Sequence, residues 1–406
     1  MSSALLLQGP AGPFMRRLAE DLRAEGIAAT KVNFHAGDVL FFDGPDAVPF
    51  RGRAEEWPAF VRELMEERGV DGIFLFGDCR PLHRVAIEAA RERGARVWVF
   101  EEGYLRPDWI TLEQDGVNGY SRMPKDPAFY RALDLPEPDP PASVGASFWY
   151  GCWYSTLNAL AFTHLNQGFP HYVHHRNLNA WFQTFVWVRN VFRKAWYAVR
   201  ERGMIERFTG ELSGRYWFVP LQVHCDFQLV HSPYGEILEF VEDVVARFVR
   251  DADPSHHIVF KHHPMDRPYR EYTRYFRDLA KKHGLEDRLH YVHDLHLPTL
   301  LKHARGTITV NSTVGLSSIH HKTPVKVMGT AIYDIPGLTF QGSLAEFLAA
   351  PGRVDHDLYD RFRRYLLHTN QANGSIFRRL PGATNGTGIR WFPGLPPSID
   401  ARGPLV

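Results

Sequence analysis

Short apolar runs that alternate with amphipathic segments constrain the fold of this chain most. In its N-terminal part, such runs fall at residues 4–7, 29–34, 72–76 and 97–100. In its C-terminal part, they fall at residues 216–220, 258–260, 289–292, 306–310 and 325–328. Strands that alternate with helices in this way are typical of an open parallel sheet with right-handed crossovers. The sequence therefore predicts an α/β fold built from two Rossmann-type domains.

Changes in composition divide the chain further. The proline-rich stretch at 136–141 is typical of a stiff linker. The residues that follow it are rich in aromatic and basic side chains. The sequence is interpreted as an N-terminal Rossmann-like domain, a helical aromatic and basic insertion, a second Rossmann-like domain, and C-terminal helices with a tail, at residues 1–140, 141–214, 215–345 and 346–406.

The overall composition excludes several classes of protein. Of the 406 residues, 44% are hydrophobic and 23% are charged, which is usual for a globular protein. The net charge of +1 gives no reason to expect nucleic acid as a partner. Cys79, Cys152 and Cys225 are far apart, which argues against a disulfide framework. Because the N-terminus lacks a basic stretch and no apolar run reaches about 18 residues, we expect a cytoplasmic protein.

One aromatic and basic segment is predicted to be a helix over residues 181–200. Its apolar side chains recur at helical spacing, at Trp181, Phe185, Val188, Phe192, Ala195 and Val199. Its basic side chains are Arg189, Arg193, Lys194 and Arg200, with Arg202 just beyond. This pattern is typical of a helix on an anionic membrane surface. It is equally typical of a helix that packs its apolar stripe on the protein core, and the sequence leaves both interpretations open.

Polar residues follow three predicted strands of the second domain. They form three clusters: Gln222, His224 and Asp226; Lys261, His262 and His263; and Asn311, Ser312 and Thr313. Parallel sheets bind ligands beyond the carboxyl ends of their strands. The cluster at 311–313 also precedes a predicted helix at 314–321, whose first amides favour an anion. We therefore expect these residues to bind a ligand that carries a phosphate.

These side chains suit the transfer of a group from a nucleotide donor. Histidine and lysine neutralise a departing phosphate without a metal ion. A carboxylate such as that of Asp226 acts as a nucleophile or stabilises an oxocarbenium-like centre. We therefore expect a reaction that uses neither a metal ion nor a cofactor. The many histidines and aspartates leave a metal site as an alternative, whereas the lack of GxSxG and GxxxxGK[ST] sequences argues against a serine hydrolase and a P-loop NTPase.

The N-terminal domain has polar residues at the equivalent positions. Gln8, Gly12, Asp78, Arg80, Glu101 and Glu102 all come after predicted strands. By the same reasoning, they are predicted to lie in turns that line one crevice.

Several stretches resemble the capsular polysaccharide synthesis family of KpsS and LipB. They are LQGPAGPF at 7–14, NFHAGD at 33–38, GDCR at 77–80 and EEGYLRPDWIT at 101–111. In addition, HHP at 262–264 followed by NST at 311–313 is similar to sequences of GT-B glycosyltransferases that use CMP-activated sugar acids. The resemblance implies a GT-B fold, in which two Rossmann-type domains face a cleft, and the activity of a β-Kdo transferase.

The resemblance also implies roles for individual residues. His263, Ser312 and Thr313 would hold the phosphate of the CMP-Kdo donor. Asp226, in the sequence QVHCD at 222–226, would be the nucleophile of a retaining reaction. Glu102 would be the catalytic acid or base, with Asp78 as the second candidate, and the N-terminal crevice would contact the acceptor.

A place in the cell and further partners follow from the same resemblance. The acceptor would be a lipid of the Kdo-lysophosphatidylglycerol type, and the protein would lie at the inner face of the inner membrane with other capsule synthesis or export proteins. Two alternatives stay open. One is a scaffold that has kept this fold without turnover, and the other is an epimerase or transferase that uses a different nucleotide sugar.

Overall fold

The computed structural model describes residues 1–174 and 176–391. The described residues divide into two compact units: the first holds residues 1–122, 136–174, 176–183 and 364–391, and the second holds residues 123–135 and 184–363. The predicted helical insertion of residues 141–214 is thus shared between the units. Residues 392–406 of the predicted tail lie outside the described residues.

The strands lie close to the apolar runs of the sequence. Within the described residues they are β1 (Ser3–Leu6), β2 (Ala28–Asn33), β3 (Ala47–Pro49), β4 (Gly72–Phe76), β5 (Arg96–Glu102), β6 (Trp109–Gln114), β7 (Tyr216–Pro220), β8 (His257–Lys261), β9 (Leu289–Val292), β10 (Gly306–Thr309), β11 (Val325–Val327) and β12 (Gln371–Asn373).

Amphipathic segments between the strands form helices. They are α1 (Phe14–Ala24), α2 (Ala36–Phe41), α3 (Trp57–Glu67), α4 (Pro81–Glu92), α5 (Pro127–Ala132), α6 (Phe148–Leu165), α7 (Ala180–Arg200), α8 (Met204–Thr209), α9 (Ile237–Asp251), α10 (Thr273–His283), α11 (Leu297–His303), α12 (Val314–His320), α13 (Leu344–Ala349) and α14 (His356–Thr369). None of the helices in the described part of the chain combines the length and the apolar character that crossing a membrane requires.

The sheet of the first unit has the strand order β12-β6-β5-β4-β1-β2-β3. The strands from β5 to β3 pair in parallel. Leu5 and Leu6 are fully buried and join different clusters of buried side chains, which shows that both faces of β1 are covered. This burial explains the continuous apolar run, because parallel strands covered on both faces lack the alternating pattern of half-exposed strands.

One edge of this sheet differs from the prediction of an all-parallel sheet. β6 pairs antiparallel with β5, and β12 pairs antiparallel with β6. The reason is the short connection at 103–108, because a parallel crossover needs a dozen or more residues. β12 comes from the region at 346–406, for which the sequence predicted helices and a tail but no strand. Its pairing spans more than 250 residues of sequence, as between Gln371 and Thr111.

The sheet of the second unit has the order β11-β10-β7-β8-β9, and all its strands pair in parallel. The central strand β7 is buried along its whole length. α9 contributes Phe240, Val244 and Phe248 to the buried cluster on one face of this sheet. The prediction of an α/β protein with two sheets of largely parallel strands is confirmed.

Candidate functional site

The strand order of the second unit brings the three predicted clusters together. β10, β7 and β8 are neighbours in the sheet, and the turns at 311–313, 222–226 and 262–266 follow their carboxyl ends. This is the edge at which parallel sheets bind ligands.

Gln222 connects two of these turns. Its amide Nε2 donates to Asp226 Oδ2 and to Asn311 Oδ1, both at 2.9 Å. Asn311 Nδ2 in turn donates to the backbone carbonyl of Gln228 at 2.8 Å. Gln222 is buried, and its Oε1 has no hydrogen-bond partner among the described residues. An unpaired buried acceptor costs about 1–3 kcal/mol, and a donor group on a bound ligand would remove that cost.

Asp226 is fixed in orientation by bonds to both of its carboxylate oxygens. Oδ1 accepts a hydrogen bond from the backbone N–H of Gln228 at 2.9 Å, which caps the short 3₁₀ helix Phe227–His231. Oδ2 accepts the hydrogen bond from Gln222. Asp226 is half-buried. The arrangement gives a preorganised carboxylate at the end of β7.

His224 is held by a carboxylate that the sequence analysis missed. His224 Nδ1 hydrogen-bonds Asp266 Oδ1, and the His224 backbone N–H donates to Asp266 Oδ2 at 3.2 Å. Asp266 is fully buried, whereas His224 is half-buried. A buried carboxylate on Nδ1 selects the tautomer and orients the ring, so that Nε2 is the nitrogen left for other chemistry. The available signal was an aspartate three residues after His263, within the same turn.

His263 lies in the turn that carries Asp266. The backbone N–H of Asp266 donates to the His263 carbonyl at 2.9 Å, and the N–H of Met265 donates to His263 Nδ1 at 3.2 Å. His263 is half-buried. The turn therefore presents one imidazole and, through Asp266, orients a second one.

Two further residues that the sequence predicted to bind the CMP-sugar donor, Lys261 and His262, are buried. Lys261 Nζ donates to the carbonyl of His293 at 2.7 Å, and burial lowers its pKa. His262 Nδ1 is hydrogen-bonded to Tyr291 OH at 2.6 Å, and burial lowers its pKa to about 3. The bonds of these side chains support the adjoining strand β9 and the loop that follows it.

The residues at 311–313 have different roles from one another. Asn311 bonds Gln222 and the backbone of Gln228. Ser312 Oγ accepts from the N–H of Val314 at 3.2 Å, and the Ser312 carbonyl accepts from Tyr333 OH. Thr313 starts α12 without a side-chain capping bond. Ser312 and Thr313 are half-buried.

The first unit brings some of its predicted residues together. Gln8 Oε1 accepts from Arg80 Nη1 at 3.0 Å, and Gln8 Nε2 donates to Tyr172 OH at 2.6 Å. Gly12 has φ +126°, and a side chain there would come within 2.8 Å of the Tyr154 ring. Tyr172, which the sequence analysis did not single out, therefore links to Arg80 through Gln8.

The predicted carboxylates of the first unit occupy distinct environments. Asp78 is buried, and its Oδ2 accepts from the Val117 backbone at 2.8 Å, which fits a structural role. The prediction that Glu101 and Glu102 lie in a turn after a strand is wrong. Both belong to β5, because the antiparallel partner β6 extends the ladder to pairs of these residues with Thr111 and Ile110. Glu102 is exposed and ion-paired with Arg106 at 2.5 Å.

A set of buried polar residues at the same edge was also missed. His35 caps α2, accepting at Nδ1 from Gly37 at 3.0 Å, and its Nε2 lies 3.8 Å from Asp38. Lys31 Nζ lies 4.0 Å from the same carboxylate. Burial raises the pKa of Asp38, but the neighbouring His35 and Lys31 side chains together hold it below its usual value. The NFHAGD sequence at 33–38 was the available signal.

Buried neutral histidines make stability depend on pH. Burial lowers the pKa of His83 to about 3, and its Nε2 has no hydrogen-bond partner among the described residues. A folded-state pKa below the unfolded value of about 6.5 means that this stability is present above pH 6.5 and is lost as the pH falls toward 3. In that pH range, each such histidine lowers the free energy of unfolding by about 1.4 kcal/mol for each unit by which the pH falls.

We expect His83→Gln to reduce this dependence by about 1.4 kcal/mol per pH unit. Glutamine can still donate to the Gly77 carbonyl that His83 Nδ1 contacts at 2.6 Å. Urea unfolding of both proteins at pH 7.5, 6.5 and 5.5 measures the difference. Equal losses of stability in both proteins between pH 6.5 and 5.5 would show that His83 does not titrate in this way.

The acidic and imidazole groups of the described residues were compared with the requirements of a metal centre. Among the described residues, no group of three or more His, Cys, Asp or Glu side chains is placed to hold a metal ion. In particular, the carboxylates of Asp226 and Asp266 are engaged in hydrogen bonds to protein groups.

The fold and the polar turns define an α/β protein with a candidate ligand site beyond the carboxyl ends of a parallel sheet. Residues 71–377 match the family model described as capsule polysaccharide biosynthesis protein. The chain belongs to that family.

Relatives of known name cover nearly the whole chain. The chain is 41% identical over 378 residues to the capsule polysaccharide export protein KpsS of Escherichia coli, covering 92% of this chain and 96% of the relative. It is 37% identical over 384 residues to the capsule polysaccharide modification protein LipB of Neisseria meningitidis serogroup B, covering 93% and 92%. The sequence-based prediction of this family is confirmed.

Solved structures give a weaker match. The match to the structure of Thermosulfurimonas dismutans KpsC, β-Kdo 2,7 transferase, covers 89% of this chain and 99% of the KpsC chain, with 15% sequence identity and a TM-score of 0.39.

Proposed function

We propose that this protein is a glycosyltransferase of capsule polysaccharide biosynthesis that transfers Kdo from CMP-Kdo to a lipid-linked acceptor. The observation that carries the proposal is the network in which Gln222 joins Asp226 to Asn311 at the carboxyl ends of β7 and β10. It links a carboxylate of fixed orientation to the turn that carries Ser312 and Thr313. Family membership and the KpsS and LipB relatives support a role in capsule biosynthesis.

In the proposed reaction, the Asp226 carboxylate attacks the anomeric carbon of Kdo. The bond from that carbon to the CMP phosphate breaks, and the phosphate leaves with the electron pair. The acceptor hydroxyl then displaces Asp226 and loses its proton to a general base. Two displacements retain the anomeric configuration.

The departing phosphate needs positive charge or hydrogen-bond donors. His263 and the hydroxyls of Ser312 and Thr313 are the proposed partners, and His224, oriented by Asp266, supplies a second imidazole. Such preorganised donors commonly contribute about 10²–10³ in kcat each. No metal ion is part of this proposal.

The proposal extends to the acceptor and to the place of reaction. We infer an acceptor of the Kdo-lysophosphatidylglycerol type, bound by the first unit through the edge that holds Gln8 and Arg80. A lipid acceptor places the enzyme peripherally at the inner face of the inner membrane, together with other capsule synthesis or export proteins. The two units would be the two domains of a GT-B enzyme.

Titration of CMP into the full chain by calorimetry tests the donor assignment. We expect micromolar to millimolar binding, weakened about tenfold or more by either His263→Ala or Ser312→Ala, because each removes one partner of the phosphate. Gln341→Ala is a control on the same unit, away from the three turns. Tighter binding of UDP or GDP than of CMP would instead favour a transferase for another nucleotide sugar.

A scaffold without turnover is the second candidate. The observation that favours it is that both oxygens of Asp226 are already hydrogen-bonded, as in a purely structural helix cap. Asp226→Asn keeps the capping oxygen at Oδ1. A scaffold carrying this substitution would still support capsule production in cells, whereas the transferase would not.

A further inference from the structure

α7 presents an apolar stripe to the outside of the protein. The stripe, called here the outer stripe of α7, consists of Trp181, Phe185, Val188, Phe192, Trp196 and Val199. Each of these side chains is between 52% and 72% exposed. The spacing of three or four residues places them on one helical face, which in an ordinary surface helix would pack on the core. The structure therefore decides against internal packing of this stripe.

The opposite face of α7 is fastened to the second unit. Asn190 Oδ1 accepts from Arg267 Nε at 2.6 Å, and the Tyr197 ring stacks on His293 with centroids 3.4 Å apart. Arg189 and Arg193 donate to backbone carbonyls between residues 267 and 270. Turning the outer stripe inward would break all of these contacts. The exposed orientation is thus built into the fold.

The charge around the outer stripe is positive. α7 contains Arg189, Arg193, Lys194 and Arg200 and no acidic residue. The acidic residue that follows, Glu201, is buried and bonded to His293. An aromatic stripe flanked by cations matches an anionic lipid surface. A second copy docking by the same face would bring like charges together, which opposes association.

We propose that the outer stripe of α7 inserts into the headgroup region of an anionic phospholipid bilayer, with the exposed side chains of Arg200 and Arg202, at its C-terminal end, on the lipid phosphates. The inference deepens the proposed function, since a lipid-linked acceptor lies in such a surface. It is tested without any sugar nucleotide, so that its failure is separate from failure of the donor assignment.

Flotation of the full chain with vesicles tests this surface. Vesicles of phosphatidylcholine with 30 mol% phosphatidylglycerol are compared with pure phosphatidylcholine, and we expect at least tenfold stronger binding to the anionic vesicles. Arg200→Ser with Arg202→Ser should weaken that binding about 10–30-fold, and Phe185→Ser with Phe192→Ser should weaken it at least tenfold. Arg189 and Arg193 are left intact because they hold the loop at 267–270.

The matched control removes two exposed cations from α10, Arg274→Ser with Lys282→Ser. This variant has the same loss of charge and should bind the anionic vesicles like the wild type. Equal binding of the wild type to both kinds of vesicle, or an equal loss in the α7 and α10 charge variants, would overturn the proposal. A dimeric wild type would also overturn the proposal if Phe185→Ser with Phe192→Ser made the protein monomeric and left its binding to vesicles unchanged.

Discussion

Asp226→Asn is expected to reduce turnover of CMP-Kdo by at least about 10³-fold while CMP binding stays within about threefold of the wild type. The reason is that an amide cannot form the glycosyl–enzyme bond that the proposed mechanism requires. The substitution is nearly isosteric, and Asn Oδ1 can still accept from the N–H of Gln228. Steady-state release of CMP measures the first effect, and calorimetry with CMP measures the second.

Asp243 gives a matched control for this prediction. Asp243 also accepts hydrogen bonds, from Tyr234 and Arg247, but lies on α9 away from the three turns. Asp243→Asn should leave turnover within about threefold of the wild type. Full activity of Asp226→Asn would contradict the assignment of Asp226 as the nucleophile.

Asp266→Asn is expected to lower kcat by about 10²–10⁴-fold. Asparagine can present its Nδ2 to His224 Nδ1 and so favour the wrong tautomer of the ring, which is how loss of a carboxylate behind a catalytic histidine acts in other enzymes. Asp266 is buried and does not itself need to contact substrate. It is therefore a positioning residue, and kcat should fall much more than KM changes.

Binding of CMP separates this role from a structural one. The Asp266→Asn protein should bind CMP like the wild type although its kcat is lower, whereas a general loss of folded protein would lower kcat and the fraction of protein that binds CMP together. His224→Gln in the Asp266→Asn background should add little further loss, because the two residues act as a unit. If the two substitutions instead lowered kcat by independent factors that multiply, His224 and Asp266 would not act as a unit.

Local patterns were sufficient for most of the fold. The strands β4, β7 and β9 begin and end where the apolar runs predicted, because a buried parallel strand leaves a continuous apolar run in the sequence. The clusters after β7 and β10 were found for the same reason, since polar residues that directly follow a buried run mark the ligand edge of the sheet.

The features that the sequence did not predict depend on how separate segments pair in the folded chain. The placement of Glu101 and Glu102 within β5 follows from β6, and β6 in turn pairs with β12 near residue 372. Asp266 became a site residue only because the turns after β7 and β8 meet. Neither the strand pairing nor the meeting of these two turns can be predicted from the local periodicity of the sequence.

α7 shows a different kind of limit. A helix with an aromatic stripe has the same period whether the stripe faces a core or a membrane. The distinction came from the inner face, where Asn190 and Tyr197 are buried against Arg267 and His293. Once these residues occupy the inner face, the stripe that starts at Trp181 can only face outward.

The most direct test of the central claim is the consumption of CMP-Kdo by the purified full chain with a lysophosphatidylglycerol-type acceptor in anionic vesicles. The account predicts that CMP appears only when both donor and acceptor are present, and that the lipid gains the mass of Kdo. The Asp226→Asn protein should give neither product. A folded wild-type protein that binds CMP but never consumes CMP-Kdo with such acceptors would contradict the transferase assignment.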